Sequence, residues 1–158
     1  MVLICTGLKE RGAKLMSGLL CGTYYPSIDA KGRMSFPNKL REILGTEFYL
    51  CMSPDDKYIA VYSVEEFQIF CDKLYQITGE IGDCIRRDVL SDAEKQVPDK
   101  QGRIFISQNL RKRAGITDDV TVIGNMKKAE IWNSEKLAEN RKSIAPEAKK
   151  AVLEGLVL

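Results

Sequence analysis

The pattern of apolar and polar positions predicts a chain of short strands and short helices. Gly22 to Ile28 is rich in aromatic and β-branched residues, which predicts a strand, and Pro26 assigns it to a sheet edge or a bulge. Arg33-Met34-Ser35-Phe36 predicts a second strand. Pro37 opens a helix at its first turn, where Leu40, Ile43 and Leu44 share one face, and Gly45 stands at a left-handed C-cap position. Phe48 to Met52 and Tyr58 to Tyr62 predict two further strands joined by the hairpin loop Ser53-Pro54-Asp55-Asp56. Ser63 and Glu66 form a capping box for a helix carrying Phe67, Phe70, Cys71 and Leu74 to about Ile77. Gly79 and Gly82 break the chain, and Asp83 to Leu90 predicts another short helix.

The same order then returns. Strands are predicted at Glu94 to Val97 and Arg103 to Ile106, followed by a helix capped by Ser107 and stopped at Gly115. Strands Val120 to Ile123 and Ala129 to Trp132 join through Gly124-Asn125, and Ser134 or Asn133 caps a helix carrying Leu137. Ala145-Pro146-Glu147 restarts a helix through Leu153 that has no counterpart earlier. The recurrence is literal at an offset of 70: Asp29-Ala30-Lys31-Gly32-Arg33 falls on Asp99-Lys100-Gln101-Gly102-Arg103, Leu40-Arg41 on Leu110-Arg111, Gly45 on Gly115 and Tyr62 on Trp132. Two copies are too few for a solenoid and indicate a duplicated small domain. Each unit, of strand, turn, strand, helix, strand and strand, is too small to cover both sheet faces alone, so the halves are expected to share a core and the protein to oligomerise. The expected division is an extension over 1–21, a first unit over 22–68, a helical connector over 69–92, a second unit over 93–137 and a tail over 138–158.

Composition narrows the chemistry. The 158 residues include no histidine, which removes Ser-His and Cys-His pairs, histidine metal ligands and the usual general base. Five scattered cysteines without a Cys-x-x-Cys motif read as reduced, small apolar residues. Carboxylate or lysine chemistry stays formally open, but nothing assembles it, and neither a catalytic, cofactor nor metal site is expected. No apolar run is long enough to span a membrane, and the broken hydrophobic pattern of the N-terminus does not fit a signal peptide. Met16 is an alternative start that would leave the first fifteen residues as an extension.

The net charge of +2 hides a concentration. Ser27 to Arg41 holds Lys31, Arg33, Lys39 and Arg41 against Asp29, a balance of +3, and Val97 to Arg113 holds Lys100, Arg103, Arg111, Lys112 and Arg113 against Asp99, a balance of +4. The rest of the chain carries −5. Positive charge gathered on a repeated turn and helix is the footprint of a polyanion partner, although a solvated basic face has the same composition.

Asp-x-x-Gly-Arg in the turn and Leu-Arg-x-x-x-Gly closing the helix resemble the swapped-hairpin domain of the SpoVT/AbrB type. Two such units, with Glu130-Ile131-Trp132-Asn133 late in the chain, resemble the MraZ family over about Gly22 to Leu137. The resemblance implies an α+β fold of two tandem swapped-hairpin units around a pseudo-symmetric double-psi-like barrel core with connecting helices. It also implies a cytoplasmic, nucleoid-associated transcriptional regulator forming a ring, an octamer, and binding short direct repeats in double-stranded DNA upstream of the division and cell-wall gene cluster, as a repressor of its own operon. The family's DNA-contacting arginines carry over to Arg33 and Arg103. Lys31 matches the family pattern, whereas the second turn has Gln101 there and its lysine at Lys100.

Physically, a turn held by aspartate and glycine would present a guanidinium on a rigid platform to guanine edges or phosphates. Lys39, Arg41, Arg111 and Lys112 would meet phosphates, with packing or a subunit bridge as the other reading for the two helix arginines. Arg33 and Arg103 could instead pin their own turns through Asp29 and Asp99, or do both. Tyr62 and Trp132 are expected in a core or an interface. Two rival classes are a dimeric AbrB- or antitoxin-like regulator and a structural oligomer without a nucleic-acid partner.

Overall fold

The computed structural model describes residues 18–156. The alternative start at Met16, Cys5 and most of the expected extension lie outside the described residues.

Among the described residues, eight strands and six helices follow one another in the predicted order. The strands are β1 (Thr23–Tyr24), β2 (Arg33–Ser35), β3 (Phe48–Met52), β4 (Ile59–Ser63), β5 (Glu94–Gln96), β6 (Arg103–Phe105), β7 (Val120–Asn125) and β8 (Lys128–Asn133). The helices are α1 (Asn38–Leu44), α2 (Val64–Tyr75), α3 (Gly79–Leu90), α4 (Gln108–Ala114), α5 (Ser134–Ser143) and α6 (Pro146–Glu154). An antiparallel six-stranded sheet has the order β1-β7-β8-β4-β3-β5, and β2 and β6 form a separate two-stranded ribbon. Exchanging the two copies maps this order onto its own reverse. The pseudo-two-fold axis passes through the facing pairs Ala60–Glu130 in the sheet and Met34–Ile104 in the ribbon.

The copies are interleaved, not adjacent. β1 of the first copy pairs with β7 of the second, β5 of the second pairs with β3 of the first, and β2 pairs with β6. This is the swapped hairpin of the sequence reading, with both partners supplied by one chain. The expected barrel does not close. Among the described strands β2 and β6 pair only with each other, Ile28 adding an isolated bridge to Met34, and β1 and β5 end the large sheet as edges of two and three residues.

Two cores lie on opposite faces of the sheet because strand side chains alternate. On one face Phe48, Leu50, Ile59, Val61, Val122 and Ile131 pack with Met34, Ile104, Leu40 and Leu110 from the ribbon and the short helices. On the other face Cys51, Tyr58, Tyr62 and Trp132 pack with Leu74, Val89 and Leu137 of α2, α3 and α5. Tyr62 and Trp132 thus belong to the core. The second core lets the connector helices cover a sheet face that a single repeat unit would leave wet.

Local signals placed most boundaries. The Ser63 hydroxyl accepts from the backbone N–H of Glu66, and the Ser107 hydroxyl from that of Leu110, as helix N-caps do. Asn133, rather than Ser134, caps α5, accepting from Glu135 and Lys136. Gly115 takes the left-handed C-cap conformation, but Gly45 has φ 98° and ψ −170°, outside it. Gly82 does not break a helix but lies within α3, where a Cβ would sit 2.2 Å from the carbonyl oxygen of Ile77. Gly124 and Asn125 belong to β7, and the chain reverses at Met126-Lys127, with Met126 at φ 62°.

Candidate nucleic-acid interface

The two repeated turns have the same hydrogen-bond plan. Asp29 accepts at Oδ1 from the backbone N–H groups of Lys31 (3.0 Å) and Arg33 (2.9 Å), and at Oδ2 from Arg33 Nε (2.9 Å). Asp99 accepts at Oδ1 from Gln101 and Arg103, both at 2.9 Å, and at Oδ2 from Arg103 Nε at 2.8 Å. Backbone bonds from Gly32 to the Asp29 carbonyl and from Gly102 to the Asp99 carbonyl tighten each loop. Both glycines have positive φ, 94° and 75°, a region that L side chains rarely enter. Both carboxyls are held below the usual carboxylate range. The leading cause in each is the backbone N–H of the arginine, with its side-chain bond and the neighbouring backbone N–H adding to it.

The arginines therefore lock their turns, and the lock leaves their terminal N–H groups unengaged. The aspartate engages only Nε, so the terminal nitrogens of Arg33 and Arg103 carry no internal hydrogen bond among the described residues. The side chains remain 49% and 41% exposed. On the ribbon, Arg33 faces Phe105 and Arg103 faces Ser35, with the buried Met34–Ile104 pair between them. The outer face of this ribbon accordingly carries Arg33, Ser35, Arg103 and Phe105, while its inner face is core.

Each helix arginine reaches across to the other copy's turn. Arg111 donates through Nε to the Ile106 carbonyl (3.0 Å) and through its terminal nitrogens to the carbonyls of Ala30 and Lys31, both at 3.3 Å. Arg41 donates through Nε to the Phe36 carbonyl (3.1 Å), and its guanidinium lies against Gly102, where a Cβ would come within 2.5 Å of Cζ. Backbone bonds repeat the exchange, from Phe36 to the Gly102 carbonyl at 3.0 Å and from Ile106 to the Gly32 carbonyl at 2.8 Å. Of the other sequence candidates, Lys31 and Lys100 are exposed at the turn tips, and Lys39 and Lys112 are exposed on α1 and α4. The structure thus brings Arg33 and Arg103 to one face of the ribbon, leaves Lys31 and Lys100 exposed on their turns, and places Arg41 and Arg111 as braces between the copies.

Sequence reading did not single out Phe105 or Gln96. The buried carboxamide of Gln96 donates to the Phe105 carbonyl (2.7 Å) and accepts from the Phe105 N–H (3.2 Å). The signal was available at the 70-residue offset, where Pro26 stands for Gln96 and Ser35 for Phe105.

An intertwined, duplicated hairpin domain that presents two locked arginines on one β-ribbon is a tandem fold of the SpoVT/AbrB swapped-hairpin class. The family model "MraZ protein" matches residues 19–79 and 89–151, one segment for each copy. "Transcriptional regulator MraZ" of Acetivibrio thermocellus is 41% identical over 118 residues, covering 73% of this chain and 81% of its own length. The protein of the same name from Bifidobacterium longum is 37% identical over 121 residues, covering 74% and 79%. That from Saccharopolyspora erythraea is 33% identical over 144 residues, covering 87% and 99%. The chain belongs to the MraZ family.

Proposed function

We propose that this protein is a sequence-specific DNA-binding transcriptional regulator whose reading element is the β2–β6 ribbon. The carrying observation is the ribbon's outer face, on which Arg33 and Arg103 hold their Nε atoms on aspartate and keep their terminal N–H groups for a ligand. A two-stranded ribbon fits the major groove, where the commonest specific contact is arginine on the O6 and N7 of guanine, worth about 1–3 kcal/mol of discrimination. Anchoring Nε orients the fork before binding, which lowers the ordering entropy of the contact. Lys31, Lys100, Lys39 and Lys112 are suited to phosphates, which set register. Arg41 and Arg111 act mainly as braces that keep the turns in place.

The regulatory role is supported by the relatives, which carry the name transcriptional regulator. The family resemblance supports the finer reading: short direct repeats upstream of the division and cell-wall gene cluster, repression of the protein's own operon, and action in the cytoplasm on the nucleoid. A ring of copies, an octamer in this reading, presents its ribbons with one rotational sense. DNA following the rim then meets each copy in the same polarity, which matches direct rather than inverted repeats. Individually weak contacts add through effective concentration.

The test is a gel shift with the DNA upstream of this gene, comparing the full chain with Arg33→Ala and Arg103→Ala at several salt concentrations. Specific retention is expected to vanish in Arg33→Ala while particle mass is unchanged, and log affinity of the parent should fall steeply with log salt. Retention indifferent to salt and to both substitutions would overturn the proposal. Loss of assembly in Arg33→Ala would assign the arginine to the turn alone.

A further inference from the structure

The ribbon's pseudo-two-fold symmetry is broken on its outer face. Arg33 and Arg103 are counterparts at the 70-residue offset, but the residue beside Arg33 is Phe105 and the residue beside Arg103 is Ser35. Phe105 is 51% exposed, with no aromatic neighbour among the described residues, on an otherwise polar and cationic face. Its backbone is held in place by one side chain. It faces Arg33 across the ribbon in a pair that exchanges no backbone bonds, and the Gln96 carboxamide takes both its N–H and its carbonyl, as a further strand would. The first copy has Pro26 where Gln96 stands, and no hydrogen bond from Pro26 holds Ser35. An exposed phenyl ring carried on a backbone anchored in this way is prepared for a contact that water does not supply.

We infer that Phe105 is a specificity-determining residue that packs on a thymine methyl in the major groove, beside the base pair addressed by Arg33. This rests on the ribbon being the DNA-reading element. Phenylalanine is among the side chains suited to the thymine methyl, the one apolar group on the major-groove edge of the bases. Facing side chains on a ribbon are about 4.5–5.5 Å apart at Cβ, and stacked bases rise by about 3.4 Å. Phe105 and Arg33 therefore address the same or neighbouring base pairs. Because Ser35 cannot make this contact at the other end, the preferred element is not a palindrome: guanine next to thymine at one end, guanine without that requirement at the other.

The test uses the full chain and a pool of random duplexes. After selection for retention, each thymine of the enriched duplex is replaced in turn by deoxyuracil, which lacks only the methyl. Binding is followed by fluorescence anisotropy for the parent, Phe105→Ala, Phe105→Leu and Arg33→Ala. One uracil replacement should weaken the parent about fourfold, the effect of one buried methyl-sized group. Phe105→Ala should already be weaker by a similar factor and indifferent to that replacement, and Phe105→Leu should recover part of the sensitivity. The salt slope should be the same in parent and Phe105→Ala, since no charge is removed. If Phe105→Ala keeps the parent's thymine preference and uracil sensitivity while Arg33→Ala loses binding, the inference fails and the DNA-reading role stands. If the pool yields no enriched duplex, both fail. A change of particle mass in Phe105→Ala would place the ring in a subunit seam and overturn the inference.

Discussion

Asp29 and Asp99 each take three hydrogen bonds on one exposed carboxylate, and this shapes how the turns respond to pH. Their pKa values are lowered in the folded protein, chiefly by the backbone N–H groups of Arg33 and Arg103. A lowered carboxyl favours folding above its unfolded value of about 3.9, and that contribution is lost as pH falls through the folded value. With no histidine in the chain, DNA affinity should be flat from about pH 5 to pH 8 and should fail only in the acid range below about pH 4, together with turn order. Anisotropy titrations and melting curves across that range check this, and a transition near neutral pH would refute it. The turn glycines differ in what surrounds them. A Cβ at Gly32 would lie 2.4 Å from the carbonyl oxygen of Ile106, a buried residue just beyond β6 whose N–H is bonded to Gly32, whereas at Gly102 it would meet the Arg41 guanidinium, which can swing aside. Both substitutions carry the strain of positive φ, about 1–3 kcal/mol. Gly32→Ala should therefore destabilise more than Gly102→Ala in urea unfolding, and equal midpoints would show that Ile106 yields.

Among the elements, α4 does more than its length suggests. Arg113 on its outer side donates to the Asp88 carbonyl (2.8 Å), Asp92 (2.8 Å) and Asp56 (2.7 Å), tying the second copy's helix to the end of α3 and to the β3–β4 loop. The Arg113 and Asp92 side chains are largely covered, while Asp56 is exposed, so the cluster should be worth less than the roughly 3–5 kcal/mol lost on breaking a fully buried pair. Arg113→Ala is expected to lower stability by about 1–2 kcal/mol, the scale of charged hydrogen bonds in partly wet surroundings, with DNA affinity unchanged in excess salt-matched buffer. A loss of affinity without loss of stability would mean that Arg113 meets the ligand. Element existence was legible because each unit carries its own punctuation: Ser63 and Ser107 as caps, Gly115 as a stop, and the Asp-x-x-Gly-Arg turns. Within the elements, what was misread turned on glycines. Gly82 and Gly124 mark close backbone approach, to Ile77 and to Leu20–Cys21, not a break and a hairpin turn, and the residue type alone cannot separate these uses. The locked arginines were legible from their repeated spacing. The bracing of each turn by the other copy's arginine was not, because Arg111 lies about eighty positions along the chain from Ala30 and Lys31.

For the molecule as a whole, the exchange of strands makes neither copy a complete folding unit. Separating the first copy would remove the partner of β3 on one side and of β2 and β4 altogether or in part, since β5, β6 and β8 all belong to the second. It would also uncover the inner-face core, where Met34, Phe36 and Leu40 pack with Ile104, Ile106 and Leu110. Leaving side chains of this size without partners costs several kcal/mol each by the measure of core truncations, about 2–5 kcal/mol for Leu to Ala. That exceeds what a unit of this size can hold in reserve, since whole domains are stable by only about 5–15 kcal/mol. Fragments 18–78 and 79–156, cut just before α3, are therefore expected to be unfolded by circular dichroism when prepared alone. Mixed in equal amounts, they should regain a cooperative melting transition, because the contacts that join the copies do not require the connecting peptide between them. The same mixture should regain DNA retention only when both fragments carry their turn arginines, since the ribbon that presents Arg33 is half built from the strand that holds Arg103. A first fragment that folded on its own as a monomer, with a melting transition indifferent to the second, would show that the interleaving is dispensable and that the two turns can be positioned independently.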